Sequence, residues 1–538
     1  MTWPRSWEPL LLASAVALSR LAFRTRELYD LDSVNFALGI ARFDPQVHQP
    51  HPPGYFLYVE IGRLFNLFTH DANLALVILS AAASCGTIML IYSLALEWFD
   101  ISTARFASAV FFFSPLGWFH GTVALTYGVE AFFSALMGYL CWRMARGRPG
   151  LAIVAGVVLG ISAGIRPSSL VFLGPLYLYS LYSTRDLTLR RRVAAVLALA
   201  LTLAAWGLPM LCMSGGFHAY WGALTSLWRV VPSKETMFNS SPATSIARAC
   251  FVVFVGMLTF GTALFVLPRA LLNNVEVDPK KRNFTFVWVA PAVCFFTLVF
   301  FKFINSGYLL LLIAPGSIWL GHWISAWYEA SRWRTPWKVA LIGACLAVNV
   351  LVYLQSPFYF SYRSVRGFER RLDAVRSALP QMCIPSDTLV VAFDSHFLGY
   401  RHAGYYLPDY LVVQYPEVEL NQGPRSFAMH GRETFLLEQL PLNKYRKFVL
   451  FPLPGKQADE SYLAMVKGLL PAQELETVRV GDQQFVVGSI ALLPRLFPHT
   501  PQLTGQRVYP SIHSPSQDVN SREHPSARID QNAASLPQ

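Results

Sequence analysis

The sequence predicts an all-α polytopic membrane domain of about 11 transmembrane helices, followed by a small extracytoplasmic α/β domain. Three observations predict it. Only 14% of the 538 residues are charged and 54% are hydrophobic, against about 25% charged in soluble domains. Apolar runs recur as far as residue 356. Beyond residue 357 the composition becomes that of an ordinary soluble domain, and short apolar runs alternate with amphipathic ones. A purely soluble enzyme, a disordered chain and a disulfide scaffold are excluded.

Span-length apolar segments fall at roughly 8–23, 72–97, 103–118, 124–142, 150–164, 168–183, 193–213, 247–267, 284–301, 307–327 and 339–356. The first is short enough to be a signal peptide, but it lacks a small-residue cleavage site, with Arg20, Arg24 and Arg26 following instead, and reads as an uncleaved span. Alternate loops then collect the basic residues. They are Arg143, Arg146 and Arg148; Arg185 and Arg190 to Arg192; Arg269 and Lys280 to Arg282; and Arg332, Arg334 and Lys338. Four basic loops on one side place that side, and the N-terminus, in the cytoplasm. The opposite side receives a long loop from Arg24 to Asp71, a second from Ser214 to Ile246, and everything after residue 357.

The net charge of +12 follows the same division. Residues 1–356 carry 26 Lys/Arg and 15 Asp/Glu, whereas 357–538 carry 18 and 17. The excess is therefore loop charge that orients the chain in the bilayer, and no soluble basic face for nucleic acid is visible. Six of seven cysteines lie in apolar runs, and there is no Cys-x-x-Cys pair. Neither disulfides nor a metal site are expected, and no cofactor is implied.

In the soluble region, residues 364–379 read as an amphipathic helix. Thr388–Phe393, Leu411–Gln414, Lys447–Phe451 and Gln484–Val487 read as strands, and Tyr462–Leu470 as a helix. The organisation expected is a membrane domain over 1–356, an α/β domain over 357–499 and a disordered Ser/Pro/Gln/Asn-rich tail over 500–538. Asp394-Ser395-His396 has the residue types of a hydrolase triad, but a triad is assembled from separate segments, so the triplet carries no chemistry here. Asn239-Ser240-Ser241 is a bare glycosylation sequon.

The first long loop holds the strongest chemical signal. Asp30, Asp32 and Asp44 lie between a membrane span and the rigid turn His51-Pro52-Pro53-Gly54. Asp32 or Ser33 is placed to cap a short helix carrying Val34, Phe36, Ala37 and Ile40. Residues 55–68 put Leu57, Ile61, Leu64, Phe65 and Phe68 at helical spacing. Too short and too charged to span, that helix is expected to lie along the membrane surface. Two such helices joined by a proline turn hold a carboxylate at the bilayer edge, where a base meets both a lipid-borne substrate and a polar acceptor. By spacing alone, Asp32 is either a plain cap or a catalyst, and His51 either a loop histidine or a ligand to substrate.

Other polar residues sit at the outer ends of spans. Glu130 follows Thr126-Tyr127-Gly128, and a carboxylate there needs a partner or water. Arg166 is either a snorkelling loop arginine or a phosphate clamp. Lys302 is either an interfacial anchor or a phosphate ligand. Trp118, His120, Tyr127 and Tyr308 either line a cavity or belong to an aromatic belt. Phe217 to Trp228 reads as a further interfacial helix.

The pattern Asp32-Ser33-x-x-Phe36, then His51-Pro52-Pro53-Gly54-Tyr55, resembles the first periplasmic loop of the GT-C glycosyltransferases. The relevant branch contains protein O-mannosyltransferases, lipid A aminoarabinose transferases and Rgt-type lipopolysaccharide transferases. The resemblance covers residues 1–356. It is strongest at 30–65, with weaker support at Arg166-Pro167 and Asn305–Leu312. It implies a GT-C-like membrane domain, a polyprenyl-phosphate-linked sugar as donor, a lipid, glycan or protein acceptor, and inverting transfer on the outer membrane face. The family's catalytic Asp falls on Asp32, with Asp30 as rival and Glu130 as supporting acid. His51 stands where the aminoarabinose transferases have Lys and so falls at the donor phosphate, with Arg166 and Lys302. Ser33 stands where many relatives have Glu. The family pattern implies no obligatory metal, and a multi-pass protein of a bacterial inner membrane. The competing class is a polytopic transporter or lipid flippase. Transporters carry charges near the bilayer midplane, whereas here they gather at span ends.

Overall fold

The computed structural model describes residues 7–230, 241–268, 278–299, 305–420, 423–437, 444–452, 464, 466, 468–480 and 483–498. The chain divides into two compact units, Met1–Glu369 and Arg370–Gln538. The first unit is helical and the second is built on a mixed sheet.

The helical unit opens with α1 (Glu8–Ala22), α2 (Leu31–Ala41), α3 (Phe56–Thr69) and α4 (Ala72–Trp98). The cap of α2 is Asp30, whose carboxylate accepts from the backbone N–H of Asp32 at 2.8 Å. The expectation that Asp32 or Ser33 caps this helix is thereby corrected, because the chain is already helical from Leu31. That shift leaves Asp32 in the first turn, with its carboxylate directed elsewhere. Residues Ser33 to Ile40 are all buried, so α2 packs inside the unit rather than lying on a surface. α3 behaves more as expected: Tyr58 and Val59 face inward, while Leu64, Leu67 and Phe68 remain exposed. Its charges have a structural use. Arg63 donates to the carbonyls of Ile40 at 2.9 Å and Gly39 at 3.1 Å, and is held by Glu60 at 2.7 Å. The last carbonyls of α2, which have no partner within the helix, are satisfied in this way.

The segment expected as one span over 103–118 is two helices, α5 (Ile101–Phe112) and α6 (Pro115–His120). Pro115 has no N–H to continue the ladder, and it is favoured in the first turn of a new helix. Ser114 caps that turn by accepting from the Gly117 N–H at 2.9 Å, and donates to the Thr259 carbonyl at 2.6 Å. Buried Arg20 takes the Phe112 carbonyl at 3.0 Å and lies over the Trp118 ring. The break thus satisfies its own polar groups and turns His120 inward.

α7 (Tyr127–Ala145), α8 (Leu151–Ile165), α9 (Ser168–Ser183), α10 (Leu189–Met213) and α11 (Phe217–Val230) follow. α8 ends at Arg166 in an extended conformation, as a residue before proline prefers. α12 (Pro242–Phe260) passes into a 3-10 turn at Gly261, whose φ is +58°. α13 (Pro279–Cys294), a 3-10 segment Ser306–Leu312 leading into α14 (Ile313–Ala330), α15 (Thr335–Gln355) and α16 (Tyr362–Met382) complete the series. Among the described residues, five segments are long and apolar enough to cross a membrane: Ala72–Trp98, Leu189–Met213, Ala243–Val266, Ser306–Ala330 and Thr335–Gln355. Other expected spans coincide with shorter helices, Ile101–Phe112 and Leu151–Ile165 among them.

In the second unit the strands are β1 (Thr388–Phe393), β2 (Leu411–Tyr415), β3 (Val418–Leu420), β4 (Gly423–Arg425), β5 (Phe427–His430), β6 (Glu433–Leu436), β7 (Lys447–Leu450), β8 (Leu475–Val480) and β9 (Gln483–Ser489). Seven form one sheet in the order β6-β5-β2-β1-β7-β9-β8. β1 runs parallel to β2 and β7, and the outer pairings are antiparallel. Leu389 and Val391 of β1, Val413 of β2 and Phe448 of β7 form the centre of its core. A short helix, α17 (Tyr400–Tyr406), connects β1 to β2. The four strands read from sequence are β1, β2, β7 and β9. They lie side by side at the centre of the sheet. The flanking strands β5, β6 and β8 escaped notice, although Phe427, Ala428 and Met429 of β5 are buried as well. Of the expected helix Tyr462–Leu470, residues 464, 466, 468 and 469 are helical, and 462, 463, 465 and 467 lie outside the described residues, as do the sequon residues Asn239 and Ser240 and the tail after residue 500.

Candidate active site

Asp32, freed from the capping role, directs Oδ1 to His51 Nδ1 at 3.4 Å, with both side chains about one-fifth exposed at 21% and 18%. The other ring nitrogen of His51, Nε2, lies 3.2 Å from the Tyr55 hydroxyl. The turn between α2 and α3 sets this line of groups. Gly54 has φ +104°, and a Cβ there would meet Met210 Sδ at 3.3 Å. Tyr55 itself is left-handed, at φ 46° and ψ 41°. A bulky residue in that region is strained and is retained where surrounding packing demands it. The strained backbone places the Tyr55 ring against both His51 and Arg166.

Arg166 is the next group inward. Its Nε reaches Glu130 Oε2 at 3.2 Å and its Nη1 donates to Thr126 Oγ1 at 2.9 Å. Three tyrosine rings surround the guanidinium: Tyr127 at 4.4 Å, Tyr308 at 5.4 Å and Tyr55 at 5.9 Å from Cζ to centroid. Glu130 accepts further hydrogen bonds from Ser169 at 3.2 Å and Ser168 at 3.4 Å. The pair is buried, with 11% and 4% of the two side chains exposed. Arg166 is therefore not a snorkelling loop residue, and Glu130 has the partner its position demands. Nη2 of Arg166 makes no hydrogen bond among the described residues.

Beyond the Tyr127 ring lies a small recess. Asp30, Asp32, His120, Asn305, Ser306 and Tyr359 supply its polar groups, and Phe119, Leu125 and Tyr127 its apolar wall. His120 Nε2 lies 3.3 Å from Ser306 Oγ, and the Ser306 N–H donates to the Tyr359 hydroxyl at 3.0 Å. Asn305 donates to the Tyr308 hydroxyl at 2.8 Å. The structure thus gathers Asp30, Asp32, His51, Glu130, Arg166, Tyr127 and Tyr308 into one region. Lys302 lies outside the described residues. Trp118 stacks on Tyr353 instead of lining the recess, with centroids 4.9 Å apart. Sequence reasoning gave no role to Thr126, Ser168, Ser169, Ser306 or Tyr359, since a lone hydroxyl or a span-end tyrosine carries no local motif. Among the described residues, no group of three His, Cys, Asp or Glu side chains is arranged to hold a metal ion.

Residues 44–189 match a family model described as the protein O-mannosyl-transferase TMEM260 N-terminal domain. That segment contains His51, Glu130 and Arg166, while Asp30 and Asp32 precede it. Among solved structures, ArnT from Cupriavidus metallidurans bound to undecaprenyl phosphate has the same fold, with a TM-score of 0.57 at 13% identity, over 90% of this chain and 98% of that one. Its apo form aligns with a TM-score of 0.55 at 13% identity, over 89% and 97%. The oligosaccharyltransferase of Archaeoglobus fulgidus aligns at 0.45 and 12% identity, over 77% and 65%. No curated protein matches the sequence. The resemblance to GT-C membrane glycosyltransferases read from residues 30–65 is borne out by the family model and by the fold.

Proposed function

We propose that this chain, a multi-pass membrane protein similar in family model and fold to the GT-C glycosyltransferases, moves a sugar from a polyprenyl-phosphate donor to a hydroxyl-bearing acceptor with inversion. Asp32 is the base. It takes the acceptor's proton as the acceptor oxygen attacks the anomeric carbon. The bond from that carbon to the phosphate oxygen breaks, and polyprenyl phosphate leaves. The observation that carries this assignment is the division of labour between the two acids. Asp30 is engaged as the helix cap, whereas the Asp32 carboxylate is partly exposed and oriented by His51.

The leaving phosphate needs cationic groups and donors fixed in advance. Arg166, with Nη2 available and its planar head held by Glu130 and the tyrosines, suits that task, and His51 and Lys302 are assigned to it as further phosphate ligands. Glu130 acts through Arg166 as a positioning residue. The basic loops support an active site on the outer face of a bacterial inner membrane. The family model's description supports a protein acceptor.

Reconstituted vesicles supplied with polyprenyl-phosphate sugars and an envelope extract test the reading. Wild type is expected to release free polyprenyl phosphate and label an acceptor, Asp30→Asn to retain that activity, and Asp32→Asn to lose it. Equal turnover in all three proteins removes both acids as the base.

A further inference from the structure

A larger cavity lies apart from the residues assigned to transfer. It holds about 310 Å³ between α5, the 3-10 turn Gly261–Val266, α14 and α15, the size of a small ligand pocket. Three of its four walls belong to segments long and apolar enough to cross a membrane. One wall depends on a glycine. α12 ends at Gly261, where φ is +58° and a Cβ would meet the Asn349 amide at 2.5 Å. The polar groups beside this break are engaged with one another. The Thr262 N–H donates to Asn349 Oδ1 at 3.0 Å, and the Thr262 hydroxyl donates to the Cys345 carbonyl at 3.0 Å. What remains is an apolar lining, which suits a hydrocarbon occupant and gives a strongly polar one no partner.

The rim points to the same occupant. Phe265, Trp333 and Leu341 line the cavity and are also exposed. On a helix bundle that crosses a bilayer, exposed apolar side chains face acyl chains, so the cavity opens to lipid.

Charge marks one end of the site. Trp333 stands between Arg332 and Arg334 in the sequence, and both arginines are exposed. Lys338, of the same basic cluster, is used elsewhere. Buried, it donates to the Tyr328 carbonyl at 2.6 Å and lies over the Tyr328 ring. A tryptophan at headgroup level flanked by guanidinium groups complements an anionic headgroup.

We propose that this cavity binds an anionic glycerophospholipid, with one acyl chain in the apolar space and the phosphate on Arg332 and Arg334. The lipid comes from the leaflet on the side of the basic loops, where juxtamembrane arginine and anionic lipid attract one another. Binding at this place is independent of sugar transfer and of Asp32.

Native mass spectrometry of the full chain in detergent, at fixed ionic strength, counts the bound lipid. The probes are dioleoyl phosphatidylglycerol, dioleoyl phosphatidylcholine and polyprenyl phosphate. Wild type is expected to bind the phosphatidylglycerol about thirtyfold more tightly than the phosphatidylcholine, the combined effect of two arginines near a membrane surface. Arg332→Gln with Arg334→Gln should bring the first lipid to the affinity of the second and leave the second unchanged. Ala109→Phe, which puts a ring into the cavity, should weaken both. If Ala109→Phe fails to fold, Ala263→Leu fills the same space from the 3-10 turn. Equal affinity of wild type for the two phospholipids, or a preference that survives in the double arginine variant, overturns the inference. So does binding that filling the cavity leaves unchanged, which would make the lipid part of the general annulus. Displacement of phosphatidylglycerol by an equal amount of polyprenyl phosphate would give the cavity to the donor lipid and overturn it as well.

Discussion

Glu130 and Arg166 form a buried ion pair, Oε2 to Nε at 3.2 Å, although 35 residues separate them in the chain. Each is a charge at the end of a different helix, and each satisfies what the other would leave uncompensated. Removing one partner of such a pair typically costs about 3–5 kcal/mol, because a lone buried charge remains. Glu130→Ala is therefore expected to lower stability by about 3 kcal/mol or more, and Glu130→Ala with Arg166→Met by clearly less than the sum. Thermal unfolding of the four proteins of this cycle in detergent measures the coupling. Additive losses would show that the pair is not coupled.

The two acids of the first loop should separate cleanly. Asp30→Ala removes a helix cap, worth about 1 kcal/mol, and leaves Asp32 in place. Asp32→Asn keeps the shape of the side chain and removes its basicity. The expected outcome is a modest fall in unfolding temperature with activity kept for the first. For the second, stability is unchanged and turnover falls at least about 100-fold, in the range of general-base loss. The opposite pattern would make Asp30 the base.

Gly54 tests whether the strained turn serves the site. Alanine is disfavoured at φ +104°, and its Cβ would press on Met210. Gly54→Ala should cost about 1 kcal/mol or more and reduce turnover further than that loss explains, because Tyr55 and His51 flank the bend. Turnover per folded molecule equal to wild type would separate the turn from catalysis.

Ser114 tests the break between α5 and α6. Ser114→Ala loses the cap on Gly117 and leaves the Thr259 carbonyl without its donor. A cost of about 1–2 kcal/mol is expected, read as a fall in unfolding temperature. An unchanged unfolding temperature would show that the break does not rest on Ser114.

Several features were legible in the sequence because their physics is local or compositional. Low charge and recurrent apolar runs set the membrane class. The distribution of Arg and Lys among alternate loops set the expected orientation. The break at Pro115 was not among them: the signal is local, but the apolar run around it reads as one span. The four central strands carry short apolar runs, and Asp32, His51 and the proline turn carry the resemblance to GT-C enzymes.

The site's internal connections were decided only by tertiary structure. Asp30 and Asp32 are equivalent in spacing, and only the actual start of α2 at Leu31 gives one the cap and leaves the other to His51. Glu130 and Arg166 each read as a span-end charge until the packing of α7 against the α8–α9 junction makes them partners. The recess joins residues near positions 30, 120, 306 and 359, from segments that no periodicity relates. Helical repeats, caps and turns depend on neighbours a few residues away, which a sequence displays. The pairing of buried polar groups depends on which distant segments exclude water together, and only the folded chain determines that.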